Sequence, residues 1–360
     1  MEVIADIKLT RRQLKALAQD TRKSAAIISL VYVNDKDPGI ARVRHGKSFS
    51  YFLNEKRITD KKELARIRQL VLPPAWENVW ICKLSDGHLQ ATGIDVKKRK
   101  QYKYHSLWSQ FRNQTKFFHL LEFGKVLPRI REQLEKDLSK PGLPQEKVLA
   151  AVVMLMQYTN IRVGNSMYEK LYGSFGLTTL KDKHVTIRGN NVKFSFKGKK
   201  GVYHDVNLKS GRLARIVKQC RDIPGKELFQ YYDEDGQRHA IDSGMVNEYI
   251  RTISGGSFSA KDFRTWTGTV HAIEALKEFG CCETEAETKK KIVEALDIVA
   301  RKLGNTRTVC KKYYVHPAVL DLYSSKQFAK YFNGSSSITP IEGLSEEESV
   351  LMKILETQNF

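Results

Sequence analysis

Apolar residues fall at two different spacings along this 360-residue chain, and the change comes just past His105. Before it the apolar stretches are short. Ile27 to Val33, Phe49 to Leu53, Val79 to Cys82, Leu89 to Gly93 and Arg99 to Tyr104 predict strands. Turn-forming residues separate them at Asp35-Lys36-Asp37-Pro38-Gly39, Asn54-Glu55 and Ser85-Asp86-Gly87. One helix interrupts the strands, Lys61 to Gln69, and it ends ahead of Pro73-Pro74 because a proline drives the residue before it out of the helical region. Residues 1 to about 20 scatter Leu9, Leu14 and Leu17 among charges and predict a solvated helix.

Past His105 the apolar residues recur at three and four. Val148, Val152, Leu155 and Met156 share one face of a helix that begins near Pro144, and Ile292, Leu296, Val299 and Leu303 share a face of another that Gly304 terminates. Phe263, Trp266, Val270 and Ile273 form a third face, introduced by Ser259 and Asp262 at capping-box spacing. Alternation returns once, in Val185-Thr186-Ile187, a turn at Gly189-Asn190-Asn191, then Val192, Phe194 and Phe196. A second turn, Gly198-Lys199-Lys200-Gly201, and a last strand, Val202 to Leu208, put Lys199 at a hairpin tip. The pattern predicts an α+β protein with a small, mostly β N-terminal domain over residues 1–106. Residues 107–360 form a mainly α domain with a three-stranded β insertion, and Gly334-Ser335-Ser336-Ser337 reads as a surface loop before the last helix.

Composition narrows the class. With 41% hydrophobic residues the chain is globular, and 61 Lys and Arg against 40 Asp and Glu leave a net charge of +21. That balance favours a polyanionic partner, since each neutralised phosphate releases a condensed counterion. Cys82, Cys220, Cys281, Cys282 and Cys310 form no CxxC, so neither a zinc site nor a disulfide framework is expected, and a reducing cytoplasm fits. The apolar run Val148 to Met156 is too short to span a bilayer and the N-terminus lacks the regions of a signal peptide, so no membrane association is expected.

The candidate chemistry lies near the end of the chain, where Leu303-Gly304-Asn305-Thr306 precedes Lys311-Lys312-Tyr313-Tyr314-Val315-His316-Pro317. In so basic a chain this suggests a tyrosine that attacks DNA. A phenol of ordinary pKa near ~10 is a poor nucleophile at neutral pH, so it needs neighbours that stabilise charge on phosphate and leaving oxygen. Arg162 falls in a Gly-punctuated break, Asn160-Ile161-Arg162-Val163-Gly164-Asn165, where a lone arginine reads equally as a cap or a surface residue. Arg264, in Ser259-Ala260-Lys261-Asp262-Phe263-Arg264, is expected in a first helical turn, where backbone N–H groups favour an anion. Lys97-Lys98-Arg99-Lys100-Gln101-Tyr102-Lys103-Tyr104 is a basic run with aromatics suited to phosphate contact and stacking.

Arg162, Lys199, Arg264, Asn305 and Tyr314 occur in the order and local contexts of the type IB DNA topoisomerases of the small bacterial and poxvirus kind, which the chain resembles over nearly its full length. The likeness includes Leu72-Pro73-Pro74-Ala75-Trp76 with Val79-Trp80-Ile81-Cys82, Leu89-Gln90-Ala91-Thr92-Gly93 and Arg99-Lys100-Gln101-Tyr102. It continues through Ile161-Arg162-Val163-Gly164-Asn165, Gly173-Ser174-Phe175-Gly176-Leu177-Thr178-Thr179-Leu180, Lys261-Asp262-Phe263-Arg264-Thr265-Trp266 and Leu303-Gly304-Asn305-Thr306. The resemblance implies a catalytic C-terminal domain that relaxes supercoiled duplex DNA through a 3′-phosphotyrosyl intermediate on Tyr314, without ATP or an obligatory metal. No cofactor is implied, and the chain contains no GxxxxGK[ST] P-loop.

By the same resemblance Arg162 and Arg264 clamp the phosphate, Lys199 protonates the leaving 5′-oxygen with Lys261 assisting, and Asn305 donates to a phosphate oxygen. Alignment on Lys312 and Val315-His316-Pro317 selects Tyr314 over Tyr313. Gln101, Tyr102, Lys103 and Tyr104 from the small domain, and Asn165 and Tyr168 from the large one, are implied DNA contacts of a monomer closing as a clamp around double-stranded DNA. The chain departs from the family pattern at Lys98, where glycine is common, at Arg307, where proline is common, and at Met245, where an acidic residue is usual. Two alternatives stand beside this reading. One is a tyrosine site-specific recombinase, whose usual His-x-x-Arg is here Lys261-Asp262-Phe263-Arg264; the other is a non-catalytic nucleic-acid-binding protein.

Overall fold

The computed structural model describes residues 21–332, apart from Lys47 and Lys97, and residues 339–357. The expected helix over the first 20 residues, the loop at Gly334-Ser335-Ser336-Ser337 and Lys97 of the basic run lie outside the described residues. The chain forms two compact units that divide between His119 and Leu120.

The N-terminal unit runs α1 (Thr21–Ile27), β1 (Ile40–His45), β2 (Ser48–Leu53), β3 (Lys56–Arg57), α2 (Lys61–Gln69), β4 (Glu77–Ile81), β5 (Leu89–Ile94) and β6 (Lys100–Tyr104). Its strands form a six-stranded sheet in the order β3-β2-β1-β4-β5-β6, every pair antiparallel. Asp60 starts α2 by accepting the Lys62 and Glu63 amides, and Ile67 carries the helix onto a core of Ile40, Val79, Ile81 and Ala91. The expected strand Ile27 to Val33 does not form: α1 ends at Ile27, Ser29 turns at φ 55, and Val31 makes only an isolated bridge to Gly87. Ala25 from the helix, and Ile28 and Leu30 from the turn after it, bury together against Trp108 and Phe111 instead of pairing in a sheet. Strand β1, which the apolar pattern did not predict, is central although it carries Arg42, Arg44 and His45. Arg42 is accommodated there because its guanidinium lies 4.3 Å from the Phe49 ring centroid and donates to the Pro73 and Trp76 carbonyls at 3.0 and 2.8 Å.

Helix α3 (Ser106–Leu138) begins in the first unit and from Leu120 belongs to the second. There follow α4 (Gln145–Thr159), α5 (Ser166–Tyr172), the strands β7 (Val185–Arg188), β8 (Asn191–Lys197) and β9 (Tyr203–Lys209), and α6 (Gly211–Arg221). A short hairpin of β10 (Gln230–Tyr232) and β11 (Arg238–Ala240), unpredicted from sequence, precedes α7 (Ser243–Ser254), α8 (Ala260–Phe279), α9 (Glu285–Leu303), α10 (Arg307–Tyr313), α11 (Pro317–Ser324) and α12 (Glu346–Thr357). The apolar run of α4 is the centre of this unit, buried from Val148 to Met156. Strands β7, β8 and β9 form the expected antiparallel insertion, with Phe194 opposite both Val185 and Val206. Among the described residues no helix is long and apolar enough to cross a membrane.

Helix α8 is tied to α3 and α12 around one buried carboxylate. The Trp266 indole donates to Glu348 at 2.9 Å, and Arg131 grips the same carboxylate with two hydrogen bonds of 2.7 and 2.8 Å. Phe123 of α3 packs edge-on to Phe263 and Trp266, with centroids 4.9 and 5.9 Å away. Burial alone would raise the Glu348 pKa, but its bonds from Arg131, the Ser345 amide and Trp266 hold it below the ordinary glutamate value of 4.5. A carboxyl whose pKa falls on folding contributes stability that is present above its unfolded value and is lost as pH falls through the folded one. Glu348→Gln is therefore expected to lower the unfolding free energy at neutral pH by about 2 kcal/mol, at the modest end because Arg131 is partly solvated. The deficit should shrink below pH 4.5; denaturant melts showing the same deficit at acid and neutral pH would contradict this assignment.

Candidate active site

Helix α4 ends at Asn160 in the left-handed region (φ 56), and the chain then runs extended to Asn165, whose side chain caps α5 by accepting the Met167 and Tyr168 amides. The segment between is pinned by close backbone crossing. Gly164 (φ +105) and Gly176 touch so tightly that a Cβ on Gly176 would come 2.6 Å from Gly164 Cα, and the Arg162 carbonyl accepts the Leu177 amide at 2.9 Å. Arg162 is thereby held facing the end of α9. There Gly304 turns the chain at φ 59, and the Asn305 amide returns to the Ala300 carbonyl at 3.0 Å. The Arg162 Nη2 donates to Asn305 Oδ1 at 2.6 Å and to the Gly304 carbonyl at 3.3 Å.

Arg264 lies deeper. The helix starts at Ala260, so Arg264 is its fifth residue, just beyond the first turn in which the sequence placed it. The capping residue Asp262 accepts both the amide and the hydroxyl of Ser259, at 2.8 and 2.9 Å. Arg264 is 6% exposed; its Nη2 donates to the Leu303 carbonyl at 2.8 Å and its Nη1 to the Asn160 carbonyl. These carbonyls are the C-terminal ends of α9 and α4, the negative poles of two helices, which is why a permanent cation is tolerated there. Its Nε is buried with no hydrogen-bond partner among the described atoms. Burial lowers the pKa of both arginines; Arg162, with the nearby Arg264 charge as the second cause, falls to about 10 and so remains cationic at neutral pH.

The Arg264 guanidinium carbon stands 5.3 Å from the ring centroid of Tyr314. Tyr314 follows α10, anchored by its amide to the Cys310 carbonyl at 2.9 Å and by its carbonyl to the Thr269 hydroxyl at 3.2 Å. Gly268, one turn along α8 from Arg264, lets the two segments meet: a Cβ there would lie 2.7 Å from the Tyr314 carbonyl oxygen and 3.1 Å from the Tyr314 Cβ. Tyr313 is 41% exposed under the Lys312 ammonium, 5.3 Å from its ring centroid. Lys199 stands on the tight turn between β8 and β9, where Lys200 adopts φ 62, and its ammonium lies 5.5 Å from the Tyr168 ring centroid. A cleft of about 260 Å³ gathers Arg162, Lys199, Lys261, Arg264 and Tyr314, with Asn165 and Tyr168 on its wall. Asn305 joins this group through its bond to Arg162.

Gln101, Tyr102, Lys103 and Tyr104 lie in the N-terminal unit on the edge strand β6. Tyr102 and Tyr104 are half-exposed and stacked, centroids 6.0 Å apart, whereas Gln101 donates to Asp95 at 3.0 Å. The three departures have local accounts. Lys98 takes φ 55, the conformation glycine adopts freely, and pairs with Glu77 at 2.6 Å. Arg307 occupies the first position of α10, where proline is tolerated, and pairs with Asp297 at 2.7 Å. Met245 packs on the core while its amide meets the capping Asp242 at 2.8 Å. Sequence reading missed Gly268 and also His204, an inward position of β9 opposite Phe196 that period-two alternation could have exposed.

Residues 105–334 match the family described as eukaryotic DNA topoisomerase I, catalytic core, and residues 48–95 that described as bacterial DNA topoisomerase IB, N-terminal domain. The chain is 32% identical over 319 residues to the DNA topoisomerase 1B of Acanthamoeba polyphaga mimivirus, covering 85% of this chain and 93% of that one. It is 26% identical over 265 residues to the DNA topoisomerase 1B of Vaccinia virus (strain Copenhagen), covering 70% and 77%. The DNA topoisomerase 1 of Schizosaccharomyces pombe is 27% identical over 189 residues, 52% of this chain and 22% of that one.

The contact at Gly268 yields a test of the packing. Glycine to alanine inside a helix ordinarily gains about 0.5–1 kcal/mol. Here the new methyl would press on the Tyr314 backbone, and overpacking of this kind costs about 1–3 kcal/mol. Gly268→Ala is expected to be destabilising overall in denaturant melts; a net gain in stability would show that Tyr314 is not wedged against α8.

Proposed function

The chain belongs to the type IB DNA topoisomerases, with DNA as its substrate, and from that premise we propose that Tyr314 is its nucleophile and the cleft around it the site of strand cleavage. The observation that carries this reading is the meeting of one phenol with two guanidiniums, Tyr314 with the buried Arg264 and the half-buried Arg162, in a cleft that Lys199 also lines.

In this reading the Tyr314 oxygen bonds to a backbone phosphorus as its proton leaves to water, and the P–O5′ bond breaks. The Lys199 ammonium passes a proton to the departing 5′-oxygen, because an alkoxide leaves poorly at neutral pH. Lys261, on the same cleft, assists this transfer. The fixed forks of Arg162 and Arg264 meet the charge that develops on the non-bridging oxygens, and the unpartnered Nε of Arg264 is a donor available to them. Asn305 supplies a further hydrogen bond through its amide. The phosphotyrosyl bond stores about the energy of the phosphodiester it replaces, so religation needs neither ATP nor an obligatory metal, and torsion in the DNA drives relaxation.

The site is complete within one unit of one chain, which supports a monomer. The net charge of +21 and the exposed Tyr102 and Tyr104 support a second hold on the duplex from the N-terminal unit, together a clamp, and five cysteines without a CxxC fit a reducing cytoplasm.

Plasmid relaxation in EDTA without nucleotide is the test. The protein should remove supercoils of both signs, and Tyr314→Phe should abolish relaxation and the covalent DNA adduct while leaving duplex binding nearly intact, since it removes one oxygen and no charge. Tyr313→Phe should retain the adduct. An absolute need for ATP, or a trapped DNA-linked peptide carrying Tyr313, would overturn the reading.

A further inference from the structure

His204 is half-buried on β9, next to the turn that carries Lys199, and has no part in the mechanism above. Its ring lies nearly parallel to that of its cross-strand partner Phe196, with centroids 5.1 Å apart and planes 15° apart. Two glycines close on the other edges of the ring. A Cβ on Gly198 would come 2.5 Å from His204 Cδ2, and one on Gly304 would come 2.7 Å from Cε1. Gly198 has an ordinary extended backbone, φ −92 and ψ −165, so what glycine provides there is room for the ring. Gly198 immediately precedes Lys199 on the hairpin turn, and Gly304 immediately precedes Asn305, the partner of Arg162. The imidazole therefore fills the gap between the segment that carries the ammonium and the segment that holds the first phosphate-facing guanidinium.

We propose that His204 is a positioning residue for proton transfer: it wedges the Lys199 turn at a fixed distance from the Arg162–Asn305 pair, so that the ammonium meets the 5′-oxygen of the phosphate those groups hold. This rests on the reading of Lys199 as the general acid. Burial first, and the charges of Arg162 and Arg264 second, hold the imidazole below the ordinary histidine range, so the wedge is neutral and adds no further cation to the site.

The test is single-turnover cleavage of duplexes with an oxygen or a sulfur at the 5′-bridging position, a sulfur leaving group needing no proton. A misplacement on the order of 1 Å can cost about 10²-fold in rate. His204→Ala and Gly198→Ala should each slow the oxygen substrate by roughly 10- to 100-fold and the sulfur substrate only a few-fold, as Lys199→Ala does, whereas Arg162→Ala should slow both. In the His204→Ala background Gly198→Ala should add little, because the ring its methyl would strike is gone. Gly198→Ala retains the histidine and a permitted backbone, so it decides the matter by the same ratio should His204→Ala fail to fold. Equal slowing of oxygen and sulfur substrates by both variants, or no slowing, would overturn the proposal while a rescued Lys199→Ala left the general acid in place. A Lys199→Ala enzyme that sulfur does not rescue would overturn the general-acid reading and this proposal with it.

Discussion

The burial of Arg264 is the constraint around which the catalytic unit is arranged. A guanidinium withdrawn from water carries a desolvation penalty of several kcal/mol unless its surroundings replace the lost solvation. Here the replacement is backbone: the Asn160 and Leu303 carbonyls receive its two Nη groups, and each belongs to a helix whose last turn would otherwise leave carbonyls unmet. Both helices must stop at the right residue for this to work. The left-handed conformations of Asn160 and Gly304, φ 56 and 59, are what stop them. The same turn at Gly304 delivers Asn305 to Arg162, so one helix ending serves both cations.

A charge fixed in this way needs little rearrangement when a phosphate arrives, which is the condition for electrostatic stabilisation of a transition state. The rigidity has a further source on the same helix. Trp266, two residues from Arg264, is held by Glu348, itself gripped by Arg131, so α8 is tied to the first and last helices of its unit. Gly268 and Thr269 then fasten the Tyr314 segment to α8. The proposed nucleophile Tyr314 and Arg264 thus share one support, and the hairpin bearing Lys199 meets the end of α9 at Gly304 through His204.

Much of this was legible in the sequence where one periodicity dominates. The helix Lys61–Gln69, the helices that end before Asn160 and at Gly304, and the three-stranded insertion with Lys199 at its turn follow from apolar spacing and glycine placement. The family match carried Arg162, Lys199, Arg264 and Tyr314 to positions that line one cleft. Failures came where neighbours distant in sequence decide. Ile27 to Val33 looks like a strand until Trp108 and Phe111 offer Ile28 and Leu30 a packing site in a turn, and β1 looks too charged for a central strand until Phe49 and the carbonyls after Leu72 receive Arg42. Alternation along β9 could mark His204 as inward-facing, but its contact with Gly304 and the approach of Gly268 to Tyr314 are distances between segments, which no spacing records.

Replacing Arg264 with lysine tests most directly whether a fixed, two-armed cation governs the site. Lysine keeps the charge, but its ammonium cannot bridge two helix ends and also present a planar fork to phosphate. Single-turnover cleavage by Arg264→Lys should fall by about 10²–10³-fold, close to the fall for Arg264→Ala, with no recovery on a sulfur leaving group. Cleavage by Arg264→Lys within a few-fold of the unaltered enzyme would contradict the account.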